Sequence, residues 1–213
     1  MKPLFDFIVH VPKLFGDTVE VAGIELIKDT RWDDFKGRVS YGTIKAIPAK
    51  ADLPESVKVG DTLVFHHHVN QQPEKFGIGD DHYLVAWHPT EINGQAYMVI
   101  HEDDSVTVLG DWVILEATED KEVDVVSEGG LFLGTELVEA KQEAKVLYPS
   151  AGTEELGLEV GDLVMYGKNA DYRITLPDGS QVFRMKPAYI LSLIHISEPT
   201  RQAEISYAVF CLK

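Results

Sequence analysis

Cysteine is almost missing. Cys211 is the only one in 213 residues, so no internal disulfide can staple the fold, which suits a reducing compartment. Basic charge is scarce as well: 19 Lys and Arg stand against 35 Asp and Glu, for a formal net charge of −16. Without a basic stripe to neutralise phosphates, neither a nucleic-acid nor an anionic-membrane partner is expected. Long apolar runs are lacking too. The opening MKPLFDFIVHV carries one lysine and a short apolar run broken by Asp6, which fits neither a signal peptide nor a membrane span. Catalytic signatures are absent: there is no G-x-S-x-G, no P-loop, and no G-x-G-x-x-G after a strand. Asp80-Asp81 and Asp103-Asp104 lie in turn-like contexts and read as solvated carboxylates. No enzyme activity and no cofactor are expected.

What is present is a chain that is 45% hydrophobic, enough to bury a core. Short runs rich in Val, Ile, Phe and Tyr alternate with turn signals: Gly-Asp at 60–61 and 161–162, Asn-Gly at 93–94 and Pro-Asp-Gly at 177–179. That pattern predicts mostly β structure. The one stretch with helix-compatible Glu/Lys spacing is ELVEAKQEAKVL, 136–147. Small antiparallel sheets avoid exposed edges by closing into barrels, so the expected fold is all-β, two small β-barrels in tandem.

The tandem expectation rests on an internal repeat. FDFIVHVP near the start parallels GDWVILEA at 110–117, with Asp6 set against Asp111 and Phe7 against Trp112. VKVGDTLVFH (57–66) parallels LEVGDLVMYG (158–167), and VAGIEL (21–26) sits where EGGLFL (128–133) sits. AYMVIHEDDSVTV (96–108) is set against QVFRMKPAYIL (181–191). The units are therefore 1–105 and 106–190. Residues 191–213, LSLIHISEPTRQAEISYAVFCLK, break from this pattern and resemble the in-frame translation of a sequencing-library adapter. They are set aside from fold reasoning as an engineered scar would be.

Histidines invite a metal reading at His66-His67-His68, with His82, His88 and His101 further along. On a continued strand, however, His66 and His68 would share one face and His67 the other, short of the three or four ligands a metal site wants. No metal site is expected. The stretch NQQPEKFGIGDDHYLVAWHPTEINGQ reads as an insertion that lengthens the first unit's hairpin into a packed flap.

One segment remains unexplained by these readings. SEGGLFLGTELVEAKQEA, 127–144, places Leu131, Phe132 and Leu133 between Gly129-Gly130 and Gly134, where backbone is costly to order. Buried-strand packing is one reading of it. Taken with GDWVILEA, LEVGDLVMYG and FRMKPAYIL, the order of signals resembles GroES-type co-chaperonins, the lids of GroEL-type chaperonins. It also resembles their double-domain forms, and divergent relatives occur in bacteriophages. The resemblance implies two GroES-like barrels, the first divergent, and a mobile hydrophobic loop that docks on the chaperonin. In the second unit that loop is Gly129, Gly130, Leu131, Phe132, Leu133 and Gly134; in the first it is Gly23, Ile24, Glu25 and Leu26. It further implies a ring-forming homo-oligomer in the cytoplasm (the bacterial host's, if phage-encoded), with unfolded proteins in the chamber and ATP bound by the partner. The alternative is a structural tandem β-barrel module, such as a virion protein, that binds no chaperonin.

Overall fold

A computed structural model describes residues 3–13, 18–27, 38–87, 94–118, 121–126, 132–138, 142–150, 153 and 156–194. In the first unit these form β1 (Asp6–His10), β2 (Thr18–Val21), β3 (Ile24–Ile27), β4 (Tyr41–Ala46) and β5 (Thr62–Phe65). Two single-turn helices follow, α1 (His68–Gln71) and α2 (Pro73–Phe76), then β6 (Gly77–Gly79), β7 (His82–Ala86) and β8 (Ala96–Ile100); β9 (Val106–Val108) lies past the boundary and pairs back onto β8. The second unit holds β10 (Val113–Glu116), β11 (Lys121–Val126), β12 (Phe132–Val138), β13 (Glu143–Tyr148), β14 (Leu163–Tyr166), β15 (Tyr172–Thr175), β16 (Gln181–Met185) and β17 (Ile190–Ile194). Among the described residues no helix is long and apolar enough to cross a membrane.

Two large antiparallel sheets result, ordered β6-β7-β1-β4-β5-β8-β9 and β15-β16-β10-β13-β14-β17. Six successive strands of the first match six of the second. The agreement extends to irregularities: the β1–β4 register shifts between Ile8 and Val9, and β10–β13 shifts between Ile114 and Leu115. Likewise β5–β8 shifts at Val64/Phe65 and β14–β17 at Met165/Tyr166.

This pairing corrects two expectations and decides one reading left open. Ile8 corresponds to Ile114, so Phe7 lies against Val113 rather than Trp112; aligning the two Asp residues by letter put the repeat one position out. QVFRM is the counterpart of β7, and the counterpart of AYMVI is Ile190–Ile194. The last strand thus runs four residues past the boundary at 190, and Ser192–Ile194 pair with β14; residues 195–213 lie outside the described ones. Finally, 143–148 is a strand, with Ala144 and Val146 buried and Lys145 exposed. Period-two burial wins there over Glu/Lys spacing that suits a helix only when all faces are wet.

The repeated Val-Gly-Asp turn has a physical cause. Gly60 (φ +107°) and Gly161 (φ +98°) take a left-handed backbone that side chains resist. Each glycine donates its N–H back to the opposing strand, Gly60 to the Ile44 carbonyl at 2.9 Å and Gly161 to Val146 at 2.8 Å. The aspartate then closes the turn: Lys58 N–H donates to Asp61 Oδ2 and Glu159 N–H to Asp162 Oδ2, both at 2.8 Å.

Each sheet covers its own core. Phe7, Val9, Ile44, Leu63, Phe65, Val85 and Val99 fill the first; Val113, Leu115, Val146, Val164, Phe183 and Met185 fill the second. The supposed flap splits in two: β7 belongs to the sheet, and Trp87 packs edge-on to Phe7 at 6.3 Å. Among the described residues, α1 and α2 have no helical counterpart in the second unit, where 167–171 joins β14 to β15. A third core forms between the units from other residues of these strands and their flanks. It joins Val64, Tyr97 and Met98 to Trp112, Ile114, Ile174, Leu176 and Val182. β8 is consequently buried on both faces.

Candidate functional site

Each unit carries a hairpin that joins neither large sheet. β2 pairs only with β3, and β11 only with β12, each as a separate two-stranded ribbon. Both hairpins leave from the same place in the repeat, between β1 and β4 in the first unit and between β10 and β13 in the second. They are what the chain does with the two segments that its sheets do not use.

In the first hairpin Val21 stands opposite Ile24, leaving a two-residue turn at Ala22-Gly23. Both turn residues have positive φ, 52° and 80°, as the tight turn matching strand twist requires. Gly23 and Ile24 are exposed, Ile24 at 63% and its neighbour Val21 at 52%. Glu25 and Leu26 follow on β3, opposite Glu20 and Val19. The proposed docking residues of this unit thus lie at a hairpin tip and just beyond it.

In the second hairpin Phe132, Leu133 and Gly134 open β12. Phe132 is opposite Val126 and Gly134 opposite Val125, with a register shift between those partners. Gly129, Gly130 and Leu131 lie outside the described residues. The sequence reading anticipated a loop here; among the described residues the apolar stretch is the start of a paired strand. β12 and β11 are both rich in residues that suit a pleated ribbon.

A second cluster sits where the units meet. The alternation expected of His66, His67 and His68 does not occur, because β5 ends at Phe65 and His67 takes helical dihedrals (φ −54°, ψ −26°). The three rings gather instead, with centroids 4.3–4.4 Å apart. Tyr172, from the second unit, stacks on His67 at 5.6 Å, and its hydroxyl hydrogen-bonds His67 Nδ1. His66 is pushed down to about 3, chiefly by burial and then by His67, His68 and Arg184. Arg184 itself lies over Tyr172, Trp112 and Tyr97, at 4.3, 4.6 and 4.9 Å from their centroids. His82 pairs with His10 elsewhere at 4.9 Å, and His88 lies outside the described residues.

The carboxylate pairs are turn residues. Asp80 and Asp81 both have positive φ and form the two-residue turn into β7. Asp103 accepts the Ser105 N–H and Oγ–H, and these bonds hold its carboxyl below the usual range. Neither pair is arranged as an acid facing a base.

The geometry defines a class: an all-β chain of two like units, each lending one free-standing hairpin. Residues 105–194 match the family model described as the chaperonin 10 kDa subunit. The matched span takes in β9 and closes with β17. The fold is thus all-β, GroES-like barrels in tandem, the first unit sharing the strand order of the matched second. No curated protein matches the chain.

Proposed function

We propose that the protein is a non-enzymatic co-chaperonin. It caps a GroEL-type chaperonin in the cytoplasm through its two hairpins and encloses unfolded proteins in the partner's chamber; ATP belongs to the partner. The observation that carries this reading is the hairpin bearing Phe132, Leu133 and Gly134, set apart from the sheets inside the span matching the chaperonin 10 kDa subunit. Burying Leu131, Phe132 and Leu133 is worth roughly 1.5–3 kcal/mol per side chain. Ordering backbone costs about 1–2 kcal/mol per residue. Pairing within a hairpin offsets part of that cost before docking. A single hairpin therefore binds weakly, and several on one assembly bind by avidity. Weak single contacts permit release, which a reversible lid requires.

Ring formation follows the same logic. Within the chain, β9, which leads into the second unit, covers the edge of β8. The corresponding edge of the second unit, at β17, pairs with no further described strand. A strand from the next copy would cover it, closing a ring as the two units are already joined.

Co-sedimentation with a GroEL-type ring, with and without nucleotide, tests the proposal. Nucleotide-dependent binding that disappears in the Leu131→Ser, Leu133→Ser double variant is expected; binding that survives the double variant removes the docking role. The formed β11–β12 ribbon also suits a grip on neighbours in a structural assembly. Hydrogen exchange separates the two readings: protection of 127–140 that appears only with the chaperonin favours the lid.

A further inference from the structure

We propose that His66, His67 and His68 bind one divalent transition-metal cation of the imidazole-preferring kind, Zn2+ or Co2+, at the seam between the two units. One ring nitrogen from each histidine lies within 4.8 Å of the others. A tetrahedral site with metal–nitrogen bonds of about 2.0–2.1 Å needs donors about 3.3 Å apart, so a modest side-chain rotation closes the set. The arrangement is graded for that closure. His67 is buried at 7% exposure and held by the Tyr172 hydroxyl, His66 is half-buried against Tyr172, and His68 is exposed and able to turn. His66 Nδ1 accepts the His68 backbone N–H at 3.2 Å on the exposed side, a weak contact that a cation can displace.

The backbone makes this convergence possible. Three consecutive histidines cannot meet on a strand, but the chain leaves β5 at Phe65 and enters α1 at His68. The equivalent connection of the second unit, 167–171, is shorter and carries no histidine, so the cluster is not a by-product of the repeat. Tyr172 acts as a positioning residue: its hydrogen bond to Nδ1 fixes the His67 ring and directs Nε2 to the metal when the phenol oxygen accepts. Three imidazoles leave a fourth position for water. Because His67 and Tyr172 belong to different units, the bound cation stiffens their junction.

Isothermal titration of the full chain with ZnCl2 tests the site. One Zn2+ per chain at micromolar affinity or better is expected, with a rise in melting temperature. Co2+ should give the visible absorption of a tetrahedral, nitrogen-bound ion. His68→Ala, at an exposed position that leaves the fold intact, should weaken binding at least tenfold and abolish the melting shift. His82→Ala, at the other histidine pair, should change neither. Tyr172→Phe should keep the 1:1 stoichiometry with affinity lowered about tenfold. Equal binding by wild type and His68→Ala, or several weak equivalent sites, overturns the proposal. Unchanged affinity in Tyr172→Phe overturns the positioning role.

Discussion

Asp61 and Asp162 hold the same turn in different surroundings. Asp61 is 6% exposed, and its Oδ2 also meets His101 Nδ1 at 2.9 Å, while His101 Nε2 bonds Thr107. Among the described residues Asp162 has no such histidine partner, and its bond to Glu159 N–H lies in the open. Asp61→Ala therefore strands buried polar groups and should cost about 1–3 kcal/mol. Asp162→Ala should cost less, about 0.5–1.5 kcal/mol. Urea midpoints of the two variants check the ordering. Gly42 gives a second residue-scale test, since a Cβ there would meet the His10 carbonyl oxygen and Val11 Cγ2, each at 2.8 Å. Gly42→Ala should destabilise by about 1–3 kcal/mol through overpacking. At this scale the sequence was partly readable. The Val-Gly-Asp turn announces itself because its chemistry is local. The histidine cluster does not, because its geometry depends on where β5 stops, and nothing in HHH marks that end.

At the scale of elements, the hairpins differ from the sheets in that both strands of each ribbon have only one neighbour. A two-stranded ribbon is marginal in water. Amides of 18–27 and 121–138 should therefore exchange faster than those of β5 and β8, by hydrogen exchange with mass spectrometry. The first hairpin carries a correctable strain, since Ala22 occupies a left-handed conformation (φ 52°). Ala22→Asn places Asn-Gly in a turn that favours it. It should stabilise the ribbon by about 0.5–1 kcal/mol, seen as slower exchange across 18–27. Glycines and apolar residues at 127–134 identified the segment but not its form, because glycine spacing fits a loop and a ribbon turn equally. The strand at 143–148 is left open by the sequence for a related reason: its Glu/Lys spacing is compatible with a helix, and only two of its positions, Ala144 and Val146, are buried.

Across the whole molecule, the repeat was legible in outline and wrong in register. Letters such as Asp6 and Asp111 align easily, whereas hydrogen-bond partners decide the true correspondence. The inter-unit core was not legible at all. Val64, Tyr97, Ile114 and Val182 look like ordinary strand residues until both faces of their strands are seen to be covered. GDWVILEA held the clue, being apolar at successive rather than alternate positions. The phenols here yield a test. Burial raises Tyr97 far above its ordinary value and pushes Tyr172 up to about 12. The unfolded chain ionises both near pH 10. Their contribution is thus complete below about pH 10 and is lost as pH rises through 10 towards 12. Urea midpoints measured from pH 9 to 11.5 should fall, and Tyr172→Phe should flatten the decline.

The join between the units is spent as structure. β9 is stitched to β8, and Leu109, right after it, is sealed in the first core. Only Gly110, with φ +60°, and Asp111 stand before the second unit's buried Trp112 and β10. There is no slack to pay out, so the halves cannot swing like beads on a string. Whatever seizes one half must carry the other along with it.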